Sequence, residues 1–172
     1  YAFSAQNWSR PAEEVAGLME ILRDFLISER SEILDNGIRL NAIGELDRLP
    51  KYVREPLENL RTESKDNRQM VLTLALSYGG REELLQAAVR LADQLTKGEL
   101  TTARVSDADF EALLWTADLP PLDLVIRTSG EQVVSDLYWP DFRTEALLKC
   151  LSEHQARERR FGKTSAQLKR QA

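Results

Sequence analysis

Two clusters of polar side chains in this sequence could hold an anion. The first cluster combines a hydroxyl, an amide, two aromatic rings and a guanidinium just before a predicted helix, in the residues Phe3, Ser4, Asn7, Trp8, Arg10 and Pro11. The free backbone N–H groups at a helix start attract negative charge, and a guanidinium binds phosphate oxygens with two parallel hydrogen bonds. A capped helix entrance with aromatic rings folded beneath it would have the same composition. Spacing alone leaves both interpretations open.

The second cluster, Arg127–Glu131, follows a short apolar segment. It offers a cation, two hydroxyls and a flexible backbone, which suit a diphosphate at the end of a strand. A polar turn with a surface arginine would give the same pattern. The segment Tyr78–Arg81 could also approach a phosphate, although its two glycines do not make a complete glycine-rich fingerprint.

Other residues with possible chemistry favour structural interpretations. Cys150 lies in an apolar pattern and, as the single cysteine, cannot form an internal disulfide. His154 has no second histidine or cysteine at metal-ligand spacing. Asp141 can cap the following helix. The basic run Arg157–Gly162 can cap carbonyls at the end of that helix and complement its dipole.

The elements that must position these clusters follow from hydrophobic periodicity and from turn residues. In chain order we predict a helix from Pro11 to about Glu32, a strand Ile38–Ile43, a helix Lys51–Ser64, a strand Met70–Tyr78, a helix from Glu82 to about Leu95, a short helix begun by Ser106 and Asp109, a strand Leu122–Ile126 and a helix from about Thr144 to Arg159. The first cluster is predicted to be a loop. Residues 163–172 have no apolar period and are predicted to be a loose polar tail.

The central strand indicates the fold class. Met70–Tyr78 is a nearly unbroken apolar run, which is typical of a strand buried on both faces of a parallel sheet. Strands alternate with helices and no tight hairpin signal is present, so we predict an α/β fold with a largely parallel central sheet flanked by helices. Ligands in such sheets collect at strand ends.

Composition excludes several classes of protein. The 172 residues, 42% of them hydrophobic, fall in the range of one domain. The 28 acidic residues outnumber the 23 basic ones and no basic face is visible, so we expect no nucleic-acid partner. No apolar run approaches the roughly 20 residues that cross a bilayer, and no signal-peptide pattern is present, so we expect a cytoplasmic protein.

Five segments, in order along the chain, are together similar to the cis-prenyltransferase family, in its bacterial undecaprenyl diphosphate synthase branch. They are Phe3–Pro11, Tyr78–Arg81, Asp123–Glu131, Trp139–Phe142 and Arg157–Gly162. The resemblance implies an enzyme that adds isopentenyl diphosphate repeatedly in cis to farnesyl diphosphate, with Mg²⁺ bound and diphosphate released. It implies a homodimer whose product is the lipid carrier for cell-wall sugars, and it leaves room for peripheral membrane contact during product release.

The resemblance also assigns roles to individual residues. Beside the allylic diphosphate it places Phe3, Ser4 and Arg10, and at the catalytic end of the same pocket Asn7 and Trp8. The diphosphate of isopentenyl diphosphate is assigned to Arg127, with Arg160 and Gly162 reaching that site across the homodimer. Candidates to line a tunnel for the growing chain, or else plain core residues, are Leu18, Leu22, Phe25 and Met70.

The sequence departs from the family pattern in two places. Nothing before Tyr1 supplies the family's catalytic aspartate, and between Gln132 and Val133 the family has further substrate-binding residues and a magnesium-binding glutamate. We therefore assign no metal ligand, and expect residues 1–162 to belong to one cis-prenyltransferase domain of a longer polypeptide. The alternatives are a non-catalytic partner subunit of the same fold and a short-chain cis-prenyl diphosphate synthase.

Overall fold

The computed structural model describes residues 1–125, 144, 145, 147–149 and 152. The chain divides into two compact units, residues 1–119 and 120–172, and each is described by itself. The elements of the first unit are β1 (Phe3–Ser4), α1 (Ala12–Ser28), α2 (Arg30–Asp35), β2 (Ile38–Ile43), α3 (Lys51–Glu63), β3 (Met70–Tyr78), α4 (Gly80–Thr96) and α5 (Asp107–Glu111), with 3-10 turns at Ala5–Ser9, Leu46–Arg48 and Thr102–Arg104.

The described sheet has β3 in the middle, with β1 on one side and β2 on the other. Both pairings are parallel: β2 runs in register from Ile38 opposite Met70 to Ile43 opposite Ala75, and β1 places Phe3 opposite Leu76. The predicted α/β fold with a parallel sheet is confirmed. Because the strands are parallel, their carboxyl ends lie at one edge of the sheet, which we call the carboxyl edge.

The core lies where α1, α2 and α3 pack against the sheet. On α3 the apolar residues Val53, Leu57 and Leu60 form one helical stripe, and all three are buried. Pro56 is accommodated within this helix. The other buried members of the cluster are Phe3, Met19, Leu26, Ile33, Leu40, Ala42, Leu49 and Leu76. This core fixes the sheet that presents the carboxyl edge.

The first predicted helix is interrupted. We expected one helix to about Glu32, but α1 ends at Ser28 and α2 starts at Arg30, since Glu29 has ψ near 0°. The break allows α2 to pack Ile33 against the core, where it is buried beside the same cluster as Leu26. Tertiary packing has overridden a continuous helical pattern here.

Burial of β3 also differs from the expectation. The strand forms as predicted, but Met70 and Val71 are 51% and 45% exposed, and the buried residues Ala75, Leu76 and Ser77 all lie in its second half. The prediction that the whole strand is buried on both faces is therefore wrong. The buried half is the one that leads to the carboxyl edge.

The predicted strand Leu122–Ile126 is not present in its described part, 122–125. The preceding prolines, Pro120 and Pro121, have no N–H to donate to a neighbouring strand. Leu122 and Val125 are 70% and 52% exposed, so residues 122–125 lack the buried face that favours strand pairing. Further along, positions 144, 145, 147–149 and 152 are helical, in agreement with the start of the last predicted helix. The remainder of that helix and the tail 163–172 lie outside the described residues.

Other predicted elements are confirmed. Ser106 caps α5 by accepting a hydrogen bond from the backbone N–H of Asp109, whose carboxylate in turn accepts from the Ser106 N–H.

Among the helices of the described ranges, none combines the length and the hydropathy needed to cross a membrane.

Gly44, which follows β2, gives a test of the carboxyl edge. It has φ +110°, and a Cβ there would overlap the carbonyl oxygen of Leu76. We expect Gly44→Ala to lower the free energy of unfolding by about 2 kcal/mol or more, measured by urea titration. Gly17→Ala, in the middle of α1 with open space around it, is the matched control and should raise it by about 0.5 to 1 kcal/mol. Equal effects of the two substitutions would contradict this account.

Candidate functional site

The first candidate cluster forms a braced loop at the carboxyl edge, which we call the Phe3–Arg10 loop. It starts in β1 and passes through the 3-10 turn Ala5–Ser9 before α1. The Ser4 N–H donates to Asn7 Oδ1 at 2.7 Å, and the Arg10 N–H donates to the Asn7 carbonyl at 3.1 Å. Among the described residues, no acceptor lies within hydrogen-bond distance of Asn7 Nδ2.

Trp8 is held on several sides. Its Nε1–H donates to Ser77 Oγ at 2.8 Å, and the Phe3 ring meets it edge-on with centroids 4.9 Å apart. The Arg48 guanidinium lies over the indole, 5.0 Å from its centroid, and also pairs with Glu45 at 2.9 Å. Through Trp8, the Phe3–Arg10 loop is therefore attached to the end of β3 and to the 3-10 turn that follows β2.

Arg10 supplies the accessible positive charge of the loop. Its side chain is 47% exposed and pairs with the equally exposed Glu14 one helical turn away. Such an exposed pair contributes little to stability, so the guanidinium can exchange this partner for a phosphate at small cost. The first backbone N–H groups of α1 lie directly after it in the chain.

The segment Tyr78–Arg81 joins β3 to α4 at the same edge, with Gly79 as the N-cap of the helix. Arg81 is exposed and has no ion-pair partner among residues the structure describes. Tyr78 lies between two rings, with centroid distances of 5.7 Å to Tyr1 and 6.0 Å to Trp115. This turn places a second exposed cation at the carboxyl edge.

A buried carboxylate anchors this turn. Glu83 Oε2 accepts from the Tyr78 hydroxyl at 2.6 Å, and Glu83 Oε1 accepts from the N–H and hydroxyl of Thr116 at 3.0 and 2.9 Å. Burial raises the pKa of Tyr78 well above its ordinary value, and the hydrogen bond to Glu83 raises it further. Tyr78 therefore stays protonated and donates across the whole physiological range.

Next to the loop, a groove of about 370 Å³ opens between α1 and the start of α3. Its lining is mainly apolar, with one cation: Trp8, Arg10, Ala12, Val15, Ala16, Met19, Pro50 and Tyr52. We call it the apolar groove. The four tunnel candidates from the sequence are not among its lining residues: Leu18 and Leu22 pack against the core, whereas Phe25 and Met70 are exposed.

A more polar cleft of about 580 Å³ lies between the turn after β2 and α4, and its lining includes Glu45, Arg48, Glu58 and Arg90. In the described part of the chain, no group of three or more His, Cys, Asp or Glu side chains is arranged to hold a metal ion.

The structure brings five predicted site residues together in the Phe3–Arg10 loop: Phe3, Ser4, Asn7, Trp8 and Arg10. The other three, Arg127, Arg160 and Gly162, lie outside the described residues, as do Cys150, His154 and Asp141.

Sequence reasoning missed the residues that hold the loop and the turn in place. Ser77, Arg48 and Glu83 carry no local signal for this role. An acidic residue in the first turn of a helix, such as Glu83, predicts only a favourable dipole interaction.

Comparison with known proteins connects this arrangement to a family. The family model described as "Putative undecaprenyl diphosphate synthase" matches residues 1–162. An isoprenyl transferase of Geobacter sulfurreducens is 42% identical over 98% of this chain and 74% of its own length. A ditrans,polycis-undecaprenyl-diphosphate synthase of Micrococcus luteus, (2E,6E)-farnesyl-diphosphate specific, is 37% identical over 94% of this chain and 71% of its own length.

Solved structures agree with these sequence relatives. Lavandulyl diphosphate synthase from Lavandula x intermedia, in complex with dimethylallyl diphosphate, has a TM-score of 0.86 at 34% identity, over 94% of this chain and 77% of its own. A probable undecaprenyl diphosphate synthase from Campylobacter jejuni has a TM-score of 0.80 at 29% identity, over 94% of this chain and 81% of its own.

The buried Glu83 network predicts a large stability effect. We expect Glu83→Ala to lower the free energy of unfolding by about 3 kcal/mol, because it removes a buried carboxylate and leaves the partly buried donors of Tyr78 and Thr116 without an acceptor. Hydrogen exchange of the Thr116 amide should accelerate in the same variant.

Glu55→Ala is the control for Glu83→Ala, since the one ion pair of this exposed residue within the described ranges is a long contact with Lys51 at 3.4 Å. It should change the free energy of unfolding by no more than about 0.5 kcal/mol. If Glu83→Ala were as mild, the network would not anchor the turn.

Proposed function

The chain belongs to the undecaprenyl diphosphate synthase family of prenyltransferases, and from this membership we propose that it condenses isopentenyl diphosphate in cis onto farnesyl diphosphate. The product would be undecaprenyl diphosphate or another long-chain polyprenyl diphosphate, the lipid carrier in cell-wall synthesis. The observation that carries the proposal is the accessible guanidinium of Arg10 beside the apolar groove.

An allylic diphosphate is amphiphilic, and the two halves of this site match its two ends. Arg10 and the N–H groups at the start of α1 suit the diphosphate, while Val15, Met19 and Tyr52 of the apolar groove suit a hydrocarbon chain. Asn7 Nδ2 adds a neutral donor at the same end. The contrast between a charged mouth and an apolar lining favours a prenyl diphosphate over a nucleotide.

The proposed chemistry calls for charge neutralisation and not for a protein nucleophile. The C–O bond to the allylic diphosphate breaks, a C–C bond forms to the isopentenyl unit, and that unit loses a proton. Negative charge grows on the departing diphosphate, where Arg10 can donate two parallel hydrogen bonds. Preorganised cations at that position lower the barrier because they are in place before the charge develops.

We propose Mg²⁺ as the cofactor, as the family resemblance implies; when bound, it would neutralise diphosphate charge. We assign it no ligand among the described residues, where no three His, Cys, Asp or Glu side chains form a metal site. Omission of Mg²⁺ and addition of a chelator test its requirement directly.

The isopentenyl diphosphate site is proposed from sequence alone. We assign its diphosphate to Arg127, with Arg160 and Gly162 contributed across a homodimer. We also propose that the protein works in the cytoplasm and contacts the membrane peripherally when the lipid product leaves.

Incorporation of labelled isopentenyl diphosphate onto farnesyl diphosphate by the complete protein tests the proposed function. Long-chain product, separated by thin-layer chromatography after dephosphorylation, would support it. Product of only one or two additions would indicate a short-chain synthase. No product alone, with activity restored by a second chain of the same fold, would indicate a partner subunit.

Arg10→Ala tests the assignment of the allylic site. We expect the KM for farnesyl diphosphate to rise about 10-fold to 100-fold, because a charge-assisted pair of hydrogen bonds is lost. The unfolding midpoint should barely change, since the side chain is half-exposed. Arg23→Ala is the matched control: it removes a partly exposed arginine of α1 that pairs with Asp24, and it should leave the KM unchanged. Equal effects of both variants would refute the assignment.

A further inference from the structure

Ser77 has an unusual backbone conformation at the carboxyl edge. Among the non-glycine residues that the structure describes, it alone has a positive φ, 49°. A serine rarely adopts this left-handed region, and such conformations persist only where surrounding contacts enforce them. Ser77 is also completely buried. The contacts around it must therefore compensate for the unfavourable backbone.

The conformation arises because Ser77 is an extra residue in the ladder between β1 and β3. Phe3 is opposite Leu76 and Ser4 is opposite Tyr78, so Ser77 has no partner on β1. An irregularity of this kind bends a strand and changes the direction of a side chain, and it is common next to active sites. Here it directs the Ser77 hydroxyl at the Phe3–Arg10 loop.

This one residue connects the ends of three strands. Its Oγ accepts the Nε1–H of Trp8 at 2.8 Å, and its carbonyl accepts the N–H of Glu45 at 3.3 Å. Trp8 belongs to the loop after β1, and Glu45 follows β2. The hydroxyl therefore fixes the edge of the indole ring, while Phe3 and Arg48 contact the ring itself.

In the chain, Trp8 lies between the two polar groups of the loop that the proposed function assigns to the ligand, the Asn7 amide and the Arg10 guanidinium. If the indole ring turns, the part of the Phe3–Arg10 loop that carries both groups loses its side-chain attachment to β3. We infer that Ser77 is a positioning residue for the allylic diphosphate site, which it serves by holding the Trp8 ring. This inference rests on the function proposed for the Phe3–Arg10 loop.

Two substitutions separate positioning from stability. Ser77→Ala removes the acceptor and keeps the unfavourable φ, whereas Ser77→Gly removes the acceptor and relieves the φ. Ser77→Gly should therefore unfold at a higher urea concentration than Ser77→Ala, yet both should release Trp8. The matched control is Ser64→Ala: Ser64 is also completely buried and its hydroxyl bonds the Leu40 N–H and the Leu60 carbonyl, away from the loop.

The first measurement is hydrogen exchange of the Trp8 indole N–H by NMR in the complete protein, with the signal assigned by its loss in Trp8→Phe. We expect exchange to accelerate about tenfold in both Ser77 variants, because a buried hydrogen bond is removed. In Ser64→Ala the rate should match the unsubstituted protein, although its unfolding midpoint falls.

The second measurement is steady-state kinetics with both substrates. For Ser77→Gly we expect the KM for farnesyl diphosphate to rise about fivefold to tenfold and the KM for isopentenyl diphosphate to stay within about twofold. Unchanged indole exchange in Ser77→Gly, or a kinetic profile like that of Ser64→Ala, would overturn the inference.

The two measurements also distinguish failure of this inference from failure of the proposed function. If the unsubstituted protein neither binds nor converts prenyl diphosphates, the proposed function fails, and with it the role of Ser77 in diphosphate binding. If the unsubstituted protein is active and the Trp8 indole exchanges equally in all variants, only the positioning role is lost.

Discussion

Parallel pairing of β1 and β2 with β3 is the constraint from which the described site follows. Because all three strands run the same way, the loops after β1, β2 and β3 emerge at one edge of the sheet, although they are far apart in sequence. Trp8 and Ser77 are separated by 69 positions and still share a hydrogen bond. Burial of the helices α1, α2 and α3 on the sheet keeps that pairing in place.

The convergence of three strand ends requires special backbone at two positions. Gly44 has φ +110°, and a side chain there would overlap the Leu76 carbonyl. Ser77 has a left-handed conformation next to the end of β3. Both residues lie where the segment after β2 meets the end of β3: Gly44 is against the Leu76 carbonyl, and the Ser77 carbonyl accepts the Glu45 N–H. The unfavourable conformation of Ser77 persists because the contacts around it enforce it, which is typical of a preorganised segment.

Many polar groups at this edge bond to one another. Asn7 Oδ1, the Trp8 indole N–H and the Glu83 carboxylate are occupied by protein partners. Within the described ranges, the Arg10 guanidinium has one exposed ion pair, with Glu14, and Arg81 has none. Fixed hydrogen bonds combined with accessible cations suit the proposed polyanionic substrate, because little order is lost when it binds.

The sequence by itself determined the elements that rest on local pattern: β2, α3, β3, α4 and the capped start of α5 all form close to their predicted positions. It also indicated Phe3–Pro11 and Tyr78–Arg81 as candidate anion-binding segments, since their residue types are visible without a fold. Family resemblance then predicted a prenyltransferase function, which hydrophobic periodicity alone could not do.

Only the tertiary structure decided the remaining features. β1 has two residues, too few for a periodic pattern, and exists because β3 is beside it. The break at Glu29 and the exposure of 122–125 depend on which faces find a partner in the folded chain. The inward direction of Glu83 is set by its contacts with Thr116, and the positive φ of Ser77 is maintained by its contact with Trp8. Local propensity contains no term for contacts between residues so distant in sequence.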